Sequence, residues 1–398
     1  MNNETIIKKG QQYIMNTYGR FPISVVRGEG VRVWDADGKE YLDFISGIAV
    51  CSLGHADSGL VDALYQQAQT LWHCSNLYWI QPQVELAEKL CRESGLDKAF
   101  FANSGAEANE AAIKLVRKYW SLRDKPGCEI IVFRNSFHGR TLAALTATGQ
   151  EKYHQGFTPL VPGFVYADFN DLESVRELIN DRTGAIMVEP MQGEGGVHPA
   201  APEFLQGLRE LCDRQGLLLV LDEVQCGMGR TGQMFAYQHY GIQPDVVALA
   251  KALGGGFPIG ALLAREEVAD AFIPGDHAST FGGNPLACAV SNRVVDVMVE
   301  PGFLQHVNDI GDYLKNHLLE LARERQDVVQ VRGMGLMLGV EFTRDIMPLV
   351  ELCRHRGLLL IAAGPRVLRF LPPLTVSREE IDSGLERLSK ALDEWTVS

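Results

Sequence analysis

The sequence lacks paired cysteine motifs and a secretory signal. Eight cysteines are scattered over 398 residues, and the nearest two, Cys212 and Cys226, have no histidine spacing that would complete a zinc site. Scattered cysteines in a long chain are typical of reduced, mostly buried thiols. Residues 1–16 contain no apolar run of the kind that a signal peptide needs. We therefore expect a cytoplasmic protein without a metal site.

The chain also has fewer positively charged than negatively charged residues. The chain has 37 Lys and Arg against 50 Asp and Glu, which gives a formal net charge of −13. Such an acidic surplus repels phosphate backbones and anionic lipid. The uncharged stretch His277–Asn292 is rich in Gly, Asn, Ser and Thr, which a membrane span would not be. We expect no nucleic-acid partner and no membrane partner.

The middle of the chain alternates between helical patterns and short, continuous apolar runs. The runs are Lys98–Ala102, Glu129–Phe133, Ala185–Val188, Leu217–Leu221 and Val246–Ala250. Strands that are apolar on both faces are typical of mostly parallel sheets with helices on both sides. The pattern therefore predicts an α/β fold.

The pattern of apolar and polar residues divides the chain into three parts. We predict an N-terminal arm over 1–60, a large α/β domain over 61–284 and a small α+β domain over 285–398. The third part begins with a long helical stretch that reaches about residue 325, followed by a strand-like segment, Val328–Phe342. Ser377 and Glu380 form a capping box that opens the last helix.

Three chemically distinct groups follow three of the apolar runs. Ser104-Gly105 opens a helix, Asp222 ends one strand and Lys251 ends another. In open α/β sheets, ligands bind at the carboxyl ends of the strands, so these groups should share one edge. Simple capping by Ser104 and Glu107, or an Asp222–Lys251 ion pair, are structural alternatives. A carboxylate, a lysine and a helix N-terminus are together what pyridoxal 5′-phosphate requires.

A glycine-rich loop offers a competing interpretation. Gly227–Gly232 matches GxGxxG and would indicate an NAD-dependent oxidoreductase. Five residues separate this loop from the preceding strand, whereas the dinucleotide fingerprint begins directly at the strand end. The nearest acid at the expected distance, Asp245, also precedes the next strand rather than ending it. We interpret the loop as a connection and keep the oxidoreductase as an alternative from a different class.

Eight motifs, in order along nearly the whole chain, resemble those of the pyridoxal-phosphate-dependent class III aminotransferases of subgroup II. They are WDADGKEYLDF (34–44), SGAEANEAAIK (104–114), FHGRT (137–141), EPMQGEGGV (189–197), LDEVQCGMGRTG (221–232), ALAKALGGGFPIGA (248–261), HASTFGGNPLACA (277–289) and VLRFLPPL (367–374). The resemblance implies the fold type I of these transferases, with a large mostly parallel sheet domain and a smaller α+β C-terminal domain. It is greatest to members that transfer the amino group of N2-acetyl-L-ornithine to 2-oxoglutarate in arginine biosynthesis, which implies this activity and these small-molecule substrates.

The resemblance also implies how the cofactor is held. Lys251 would bind its aldehyde and Asp222 would pair with its pyridine nitrogen, so these two are the catalytic residues. Gln225 would hydrogen-bond the 3′-oxygen. Val224 and Phe137 would lie on the two faces of the ring.

The phosphate of the cofactor is expected to be bound by two subunits. Ser104, Gly105 and Ala106 would hold it from one chain, and the partner subunit's Thr280 would complete the site. The resemblance therefore implies a homodimer with a shared active site.

Five further residues are implied to contact substrates. Arg140 and the partner subunit's Ser279 would contact the amino donor, and Tyr18 would line the donor end of the site. Arg369 would bind a substrate carboxylate. Glu194 would neutralise Arg369 when the substrate has no carboxylate at that place.

One position bears on the choice of donor. Ile48 stands where ornithine-specific members of the family typically have a tyrosine near the free α-amino group. An apolar side chain offers that amine no hydrogen bond but suits an acylated nitrogen. This favours acetylornithine over ornithine, while succinylornithine and 4-aminobutyrate remain alternatives.

Overall fold

The computed structural model describes residues 1–397, which form seventeen strands and fourteen α-helices. The strands are β1 (Val25–Glu29), β2 (Arg32–Asp35), β3 (Glu40–Asp43), β4 (Lys98–Ala102), β5 (Glu129–Phe133), β6 (Phe164–Ala167), β7 (Thr183–Val188), β8 (Met191–Gln192), β9 (His198–Pro199), β10 (Leu218–Asp222), β11 (Val246–Leu249), β12 (Gly260–Ala264), β13 (Val328–Met334), β14 (Met337–Phe342), β15 (Leu358–Leu359), β16 (Ile361–Ala362) and β17 (Val367–Phe370).

The helices surround these strands. They are α1 (Asn3–Tyr13), α2 (Ser46–Ala49), α3 (Ser58–Ala68), α4 (Gln81–Ser94), α5 (Gly105–Ser121), α6 (Leu142–Ala147), α7 (Glu151–His154), α8 (Leu172–Leu178), α9 (Pro202–Gln215), α10 (Glu266–Ala269), α11 (Pro285–Met298), α12 (Phe303–Arg323), α13 (Met347–His355) and α14 (Arg378–Val397). Two 3₁₀ helices cover Ala236–Tyr240 and Lys251–Gly254. Within residues 1–397, no helix combines the length and the apolar character that crossing a membrane requires.

A seven-stranded sheet in the order β4-β12-β11-β10-β7-β5-β6 forms the centre of the protein. β12 is antiparallel to both of its neighbours, and the other pairings are parallel. The prediction of a mostly parallel sheet is confirmed, and all five apolar runs lie in it. β6 and β12 were not among the predicted strands.

The apolar runs form buried strands because both faces of the sheet are covered. In β5, Ile131 and Phe133 belong to one apolar cluster, while Ile130 and Val132 belong to another. Successive side chains of a strand point to opposite faces, so the two clusters lie on opposite sides of the sheet. Every residue of β5 is buried.

The C-terminal part contains a four-stranded antiparallel sheet, β13-β14-β17-β16. The segment predicted as strand-like, Val328–Phe342, is a hairpin that turns at Gly335, where φ is +53°. The long helical stretch is two helices, α11 and α12, because Gly302 takes a left-handed φ of +91° between them. The capping box is present: Ser377 Oγ accepts a hydrogen bond from the Glu380 amide at 3.2 Å, and the Ser377 amide donates to Glu380 at 3.0 Å.

The N-terminal strands pair with the C-terminal part of the chain. β1, β2 and β3 form a sheet whose fourth strand is β15, and β15 runs parallel to β3. Residues of the predicted arm and of the predicted small domain thus share one sheet. The three domain boundaries themselves stay a prediction.

Candidate active site

A cavity of about 420 Å³ lies at the carboxyl edge of the central sheet. The sequence-predicted residues in its wall are Ser104, Gly105, Ala106, Phe137, Arg140, Glu194, Asp222, Val224, Gln225 and Lys251. They come together because β4, β10 and β11 run in the same direction and end at this edge. The expectation of a shared edge is therefore met for the three groups that follow these strands.

One wall of the cavity is the N-terminus of α5. Ser104 caps this helix, because its Oγ accepts a hydrogen bond from the Glu107 amide at 3.2 Å. The Glu107 carboxylate in turn accepts from the Asn103 amide at 2.9 Å. A Cβ at Gly105 would lie 2.7 Å from Cγ1 of Val224, so any larger residue would force the Val224 side chain to move. The first turn has backbone N–H groups without intrahelical partners and suits a phosphate group.

Asp222 is buried and surrounded by donors. Its Oδ2 is 2.7 Å from Asn109 Nδ2 and 2.7 Å from His138 Nδ1, and its Oδ1 accepts from the Val224 amide at 3.0 Å. Burial alone would lower the pKa of His138, but the hydrogen bond and charge of Asp222 raise that pKa above its usual value. Among residues 1–397, Asp222 and Lys251 form no direct ion pair. The carboxylate therefore lines the cavity without a lysine partner and is available to pair with a protonated pyridine nitrogen.

Lys251 lies two residues after the end of β11 and begins a 3₁₀ helix. Its backbone is left-handed, with φ at +46°, which turns the chain out of the strand. Burial lowers the pKa of its amine, and the nearby charge of Glu194 opposes this shift. A lower pKa leaves more of the amine neutral, and the neutral amine is the nucleophile that a carbonyl requires.

Arg369 and Glu194 form an ion pair beside the cavity. The fully buried Arg369 donates from Nη1 to Glu194 Oε1 at 2.6 Å and to Gln225 Oε1 at 3.0 Å. Burial tends to raise the pKa of Glu194, but the charge of Arg369 holds that pKa below its usual value. The Nε and Nη2 atoms of Arg369 have no hydrogen-bond partner within the described chain. Unpaired buried donors are unfavourable, so this arginine suits a carboxylate that enters the cavity.

Besides Arg369, three predicted residues lie outside the wall of this cavity. Ser279 and Thr280 line a second cavity of about 1010 Å³, and Thr280 is exposed. Ser279 Oγ accepts a hydrogen bond from Asn103 Nδ2 at 3.1 Å, which connects the two cavities. Tyr18 lies in the N-terminal segment and is 70% exposed. Among the residues that the structure describes in one chain, none of these three side chains hydrogen-bonds to a residue in the wall that was predicted from the sequence.

The structure adds three residues that the sequence analysis missed. His138 and Asn109 hold Asp222, and Glu189 is a buried carboxylate that accepts a hydrogen bond from the Phe137 amide at 3.1 Å. Burial raises the pKa of Glu189 to about 8. Glu189 directly follows the apolar run of β7, so the rule about strand ends would have found it.

The glycine-rich loop Gly227–Gly232 does not form a nucleotide site. It leads to the short 3₁₀ helix Ala236–Tyr240, whereas a dinucleotide-binding loop leads to an α-helix whose first turn binds the phosphate groups. A Cβ at Gly232 would lie 2.0 Å from Asn308 Oδ1, and the buried Arg230 donates to the Leu336 carbonyl at 3.1 Å. The space next to the loop is therefore occupied by the protein's own side chains and not open to a nucleotide.

The chain is similar to known proteins over almost its entire length. Residues 13–392 match the family described as Aminotransferase class-III. A curated acetylornithine aminotransferase from Caldanaerobacter subterraneus subsp. tengcongensis is 53% identical over 386 residues, which cover 96% of this chain and 98% of that protein.

Two solved structures are also similar. The crystal structure of N-acetylornithine aminotransferase from Stenotrophomonas maltophilia K279a has a TM-score of 0.85 at 41% identity and covers 98% of this chain and 99% of that chain. The ornithine aminotransferase from Toxoplasma gondii has a TM-score of 0.94 at 33% identity, covers 98% of this chain and 94% of that chain, and has PLP at partial occupancy at its active site. The chain therefore belongs to the class III aminotransferase family, with the fold type I architecture and the pyridoxal 5′-phosphate cofactor of that family.

Proposed function

We propose that this protein transfers the δ-amino group of N2-acetyl-L-ornithine to 2-oxoglutarate. The products are N-acetyl-L-glutamate 5-semialdehyde and L-glutamate, and the reaction belongs to arginine biosynthesis. The identity of about half of all positions to acetylornithine aminotransferases supports this substrate. The observation that carries the proposal is the Arg369–Glu194 ion pair beside Lys251. The pair can open for a substrate that has a carboxylate next to its reacting carbon, and it can stay closed for a substrate that has none there.

We assign the chemistry to residues of the cavity wall. Pyridoxal phosphate, when bound, supplies an electron sink for the carbon that loses its proton. Lys251 would hold the cofactor through its aldehyde, and its amine would serve as the acid and base for the proton that this carbon loses. Asp222 would pair with the pyridine nitrogen, and Gln225 would bind the 3′-oxygen. Val224 and Phe137 would contact the ring and exclude water from it.

Arg369 and Glu194 let one site accept two different substrates. The end of acetylornithine that reacts has no carboxylate, so Glu194 stays paired with Arg369 and neutralises it. The carbonyl of 2-oxoglutarate is next to a carboxylate, which takes the place of Glu194 on Arg369. Arg140 is exposed at the cavity wall, 3.9 Å from the ring centre of Tyr153, and binds the far carboxylate of either substrate.

An Arg369→Ala variant is expected to lose activity with 2-oxoglutarate while it keeps most of its activity with acetylornithine. The variant lacks at least one charge-assisted hydrogen bond worth roughly 1.5–3 kcal/mol, so kcat/KM for 2-oxoglutarate should fall by about 10²-fold. The half-reaction with acetylornithine should change much less. Stopped-flow measurement of the two half-reactions tests this, and equal losses in both would show that Arg369 has another role.

A comparison of amino donors tests the proposed substrate. Ile48 is partly buried in a left-handed turn, where φ is +65°, and presents an apolar side chain. We expect kcat/KM for acetylornithine to exceed that for ornithine by at least about tenfold, because an apolar contact favours an acylated nitrogen over an ammonium. Succinylornithine and 4-aminobutyrate are measured under the same conditions. A higher kcat/KM for ornithine or for 4-aminobutyrate would overturn the proposed donor.

We also propose a homodimer in which each site uses both chains. The surface near the second cavity exposes large apolar side chains, with Trp79 93%, Leu77 86% and Phe281 62% exposed. Apolar groups clustered in this way are typical of interfaces between proteins. Thr280 lies on the same surface, so a second copy there would bring the partner subunit's Thr280 toward the N-terminus of α5. The partner subunit's Ser279 would then reach the donor, and Tyr18 would be covered at the donor end.

Mixed dimers test the shared site. A Thr280→Asp variant should be inactive because a carboxylate repels the phosphate group, and Lys251→Ala should be inactive as well. A dimer of one chain of each kind has one site with both defects and one intact site, so about half of the wild-type activity per dimer should return. Dimers made only from Lys251→Ala chains are the control. Mixed dimers without recovered activity would mean that each chain builds its own site.

We further infer that the protein works in the cytoplasm. All eight cysteines are free, and five of them are buried: Cys128, Cys212, Cys226, Cys288 and Cys353. Free buried thiols are typical of a reducing compartment. Fractionation of cells tests this, and recovery of the protein in a secreted or periplasmic fraction would contradict it.

A further inference from the structure

Glu194 lies near the tip of a very short hairpin. β8 and β9 pair at Met191 and Gln192, and only residues 193–197 connect them. A Cβ at Gly193 would lie 2.1 Å from Gln225 Oε1, and a Cβ at Gly195 would lie 2.5 Å from the Asn135 carbonyl oxygen. The backbone on both sides of Glu194 is therefore packed directly against its neighbours.

The backbone after Glu194 is held in unusual conformations. Gly196 has a φ of +118° and Val197 a φ of +56°. A β-branched residue in the left-handed region is unfavourable and persists only where the surroundings impose it. The Val197 side chain packs close to Gly339, where an added Cβ would lie 3.0 Å from its Cβ.

Arg332 of β13 binds these two residues. Its Nε donates to the Gly196 carbonyl at 2.9 Å and to the Val197 carbonyl at 3.1 Å, and its Nη2 donates to the Gly196 carbonyl at 2.7 Å. Its Nη1 pairs with Glu341 of β14 at 2.5 Å. Arg332 is only 7% exposed, so its guanidinium is fixed by these contacts rather than by solvent.

We propose that Arg332, held in place by Glu341, is a positioning residue that fixes the backbone beneath Glu194. This inference rests on the proposed role of Glu194 at Arg369. With the carbonyls of Gly196 and Val197 held, Glu194 leaves and rejoins Arg369 by rotation of its side chain alone. Arg332 does not line the cavity and acts through Glu194.

The fixed backbone determines which amino donor the site favours. Because its backbone is fixed, Glu194 loses little conformational freedom when its side chain pairs with Arg369, so the pair forms readily when the donor has no carboxylate next to its amine. Without Arg332 the hairpin tip gains freedom and the pair weakens. Arg369 is then more often free to bind a carboxylate. Glutamate should therefore gain as an amino donor relative to acetylornithine.

Half-reaction kinetics of Arg332→Gln test this inference. We expect the ratio of kcat/KM for glutamate to kcat/KM for acetylornithine to rise by about tenfold relative to the unmodified protein, with a smaller rise in Arg332→Lys. Arg209→Gln is the matched control, because Arg209 is also buried and pairs at 2.8 Å with Asp245, which precedes β11 and so lies at the edge of the sheet opposite the cavity. This control should lower Tm without changing the ratio.

A double variant separates positioning from a general structural role. In a Glu194→Gln background, the Arg332→Gln change should leave the donor ratio unaltered, because the residue through which it acts is already neutral. Glu341→Gln keeps Arg332 but removes its ion pair, and should shift the ratio in the same direction by a smaller factor. If Arg332→Gln does not fold, Glu341→Gln provides the test in its place.

Two results would overturn the inference. One is an equal loss of kcat/KM for both donors in Arg332→Gln and Glu341→Gln. The other is the same change of ratio with and without Glu194→Gln. Failure of the proposed function gives a different result, because the unmodified protein would then react with glutamate but not with acetylornithine. The ratio would in that case be measured against 4-aminobutyrate, which also has no carboxylate next to its amine.

Discussion

Replacement of Lys251 with alanine is expected to lower kcat by at least about 10⁴-fold, the upper range for loss of a positioned acid–base group. The amine lies in the cavity wall, and burial lowers its pKa, so the unmodified side chain is prepared both to bind a carbonyl and to carry a proton. No hydrogen bond within residues 1–397 involves this amine, so its removal should leave the fold intact. Turnover, Tm and the mass of borohydride-reduced protein measure the effect.

The control for this prediction is a lysine on the surface. Lys390 pairs with Glu386 at 2.6 Å on an exposed face of α14, and Lys390→Ala should keep wild-type turnover. Cofactor should be trapped on the Lys390→Ala protein and not on the Lys251→Ala protein. Turnover of Lys251→Ala within about tenfold of wild type would contradict the assigned chemistry.

Replacement of Asp222 with asparagine should lower both turnover and stability. Asparagine keeps the size of the side chain but loses the charge that His138 and Asn109 surround. The loss of one partner of a buried charged pair costs about 3–5 kcal/mol of folding free energy. We expect turnover to fall by about 10³-fold, as it does when a charge-stabilising group is lost from an active site. Denaturant unfolding and steady-state kinetics measure the two effects separately.

Asp245→Asn is the matched control for Asp222→Asn. Asp245 is equally buried and pairs with Arg209 at 2.8 Å and Arg265 at 3.1 Å, but it precedes β11 and so lies at the opposite edge of the sheet. The control should be destabilised by a similar amount while each folded molecule keeps its turnover. If both variants lost turnover only in proportion to their stability, Asp222 would be a structural residue.

The end of a buried strand can be recognised in the sequence, because a continuous apolar run stops there and polar residues follow. Ser104, Asp222 and Lys251 are predicted in this way, because each is among the polar residues that follow an apolar run. The sheet then brings together strands that are far apart in the chain. The roles assigned to Arg369 and Glu194 came from resemblance, since neither position has a local pattern that indicates an ion pair across 175 residues.

Other parts of the site have no signal in one sequence. Asn109 and His138 lie 113 and 84 residues from Asp222, and their meeting depends on how α5 and the loop after β5 pack on the sheet. The reversed direction of β12 was also not predicted. Its apolar composition is that of a buried strand in either direction, so only the pairing with β4 and β11 determines its orientation.

The reversal of β12 explains how one short segment supplies two parts of the cavity. The parallel strands reach the active edge with their last residues, whereas β12 starts from that edge. The connection between β11 and β12 consequently stays at the edge and never crosses the sheet. It begins with Ala250 and Lys251 and ends with Phe257, Pro258 and Ile259, all of which line the cavity. Lys251 therefore lies in a short connection that a strand of the central sheet holds at each end, whereas the first residue of a crossover helix is held by a strand on one side only.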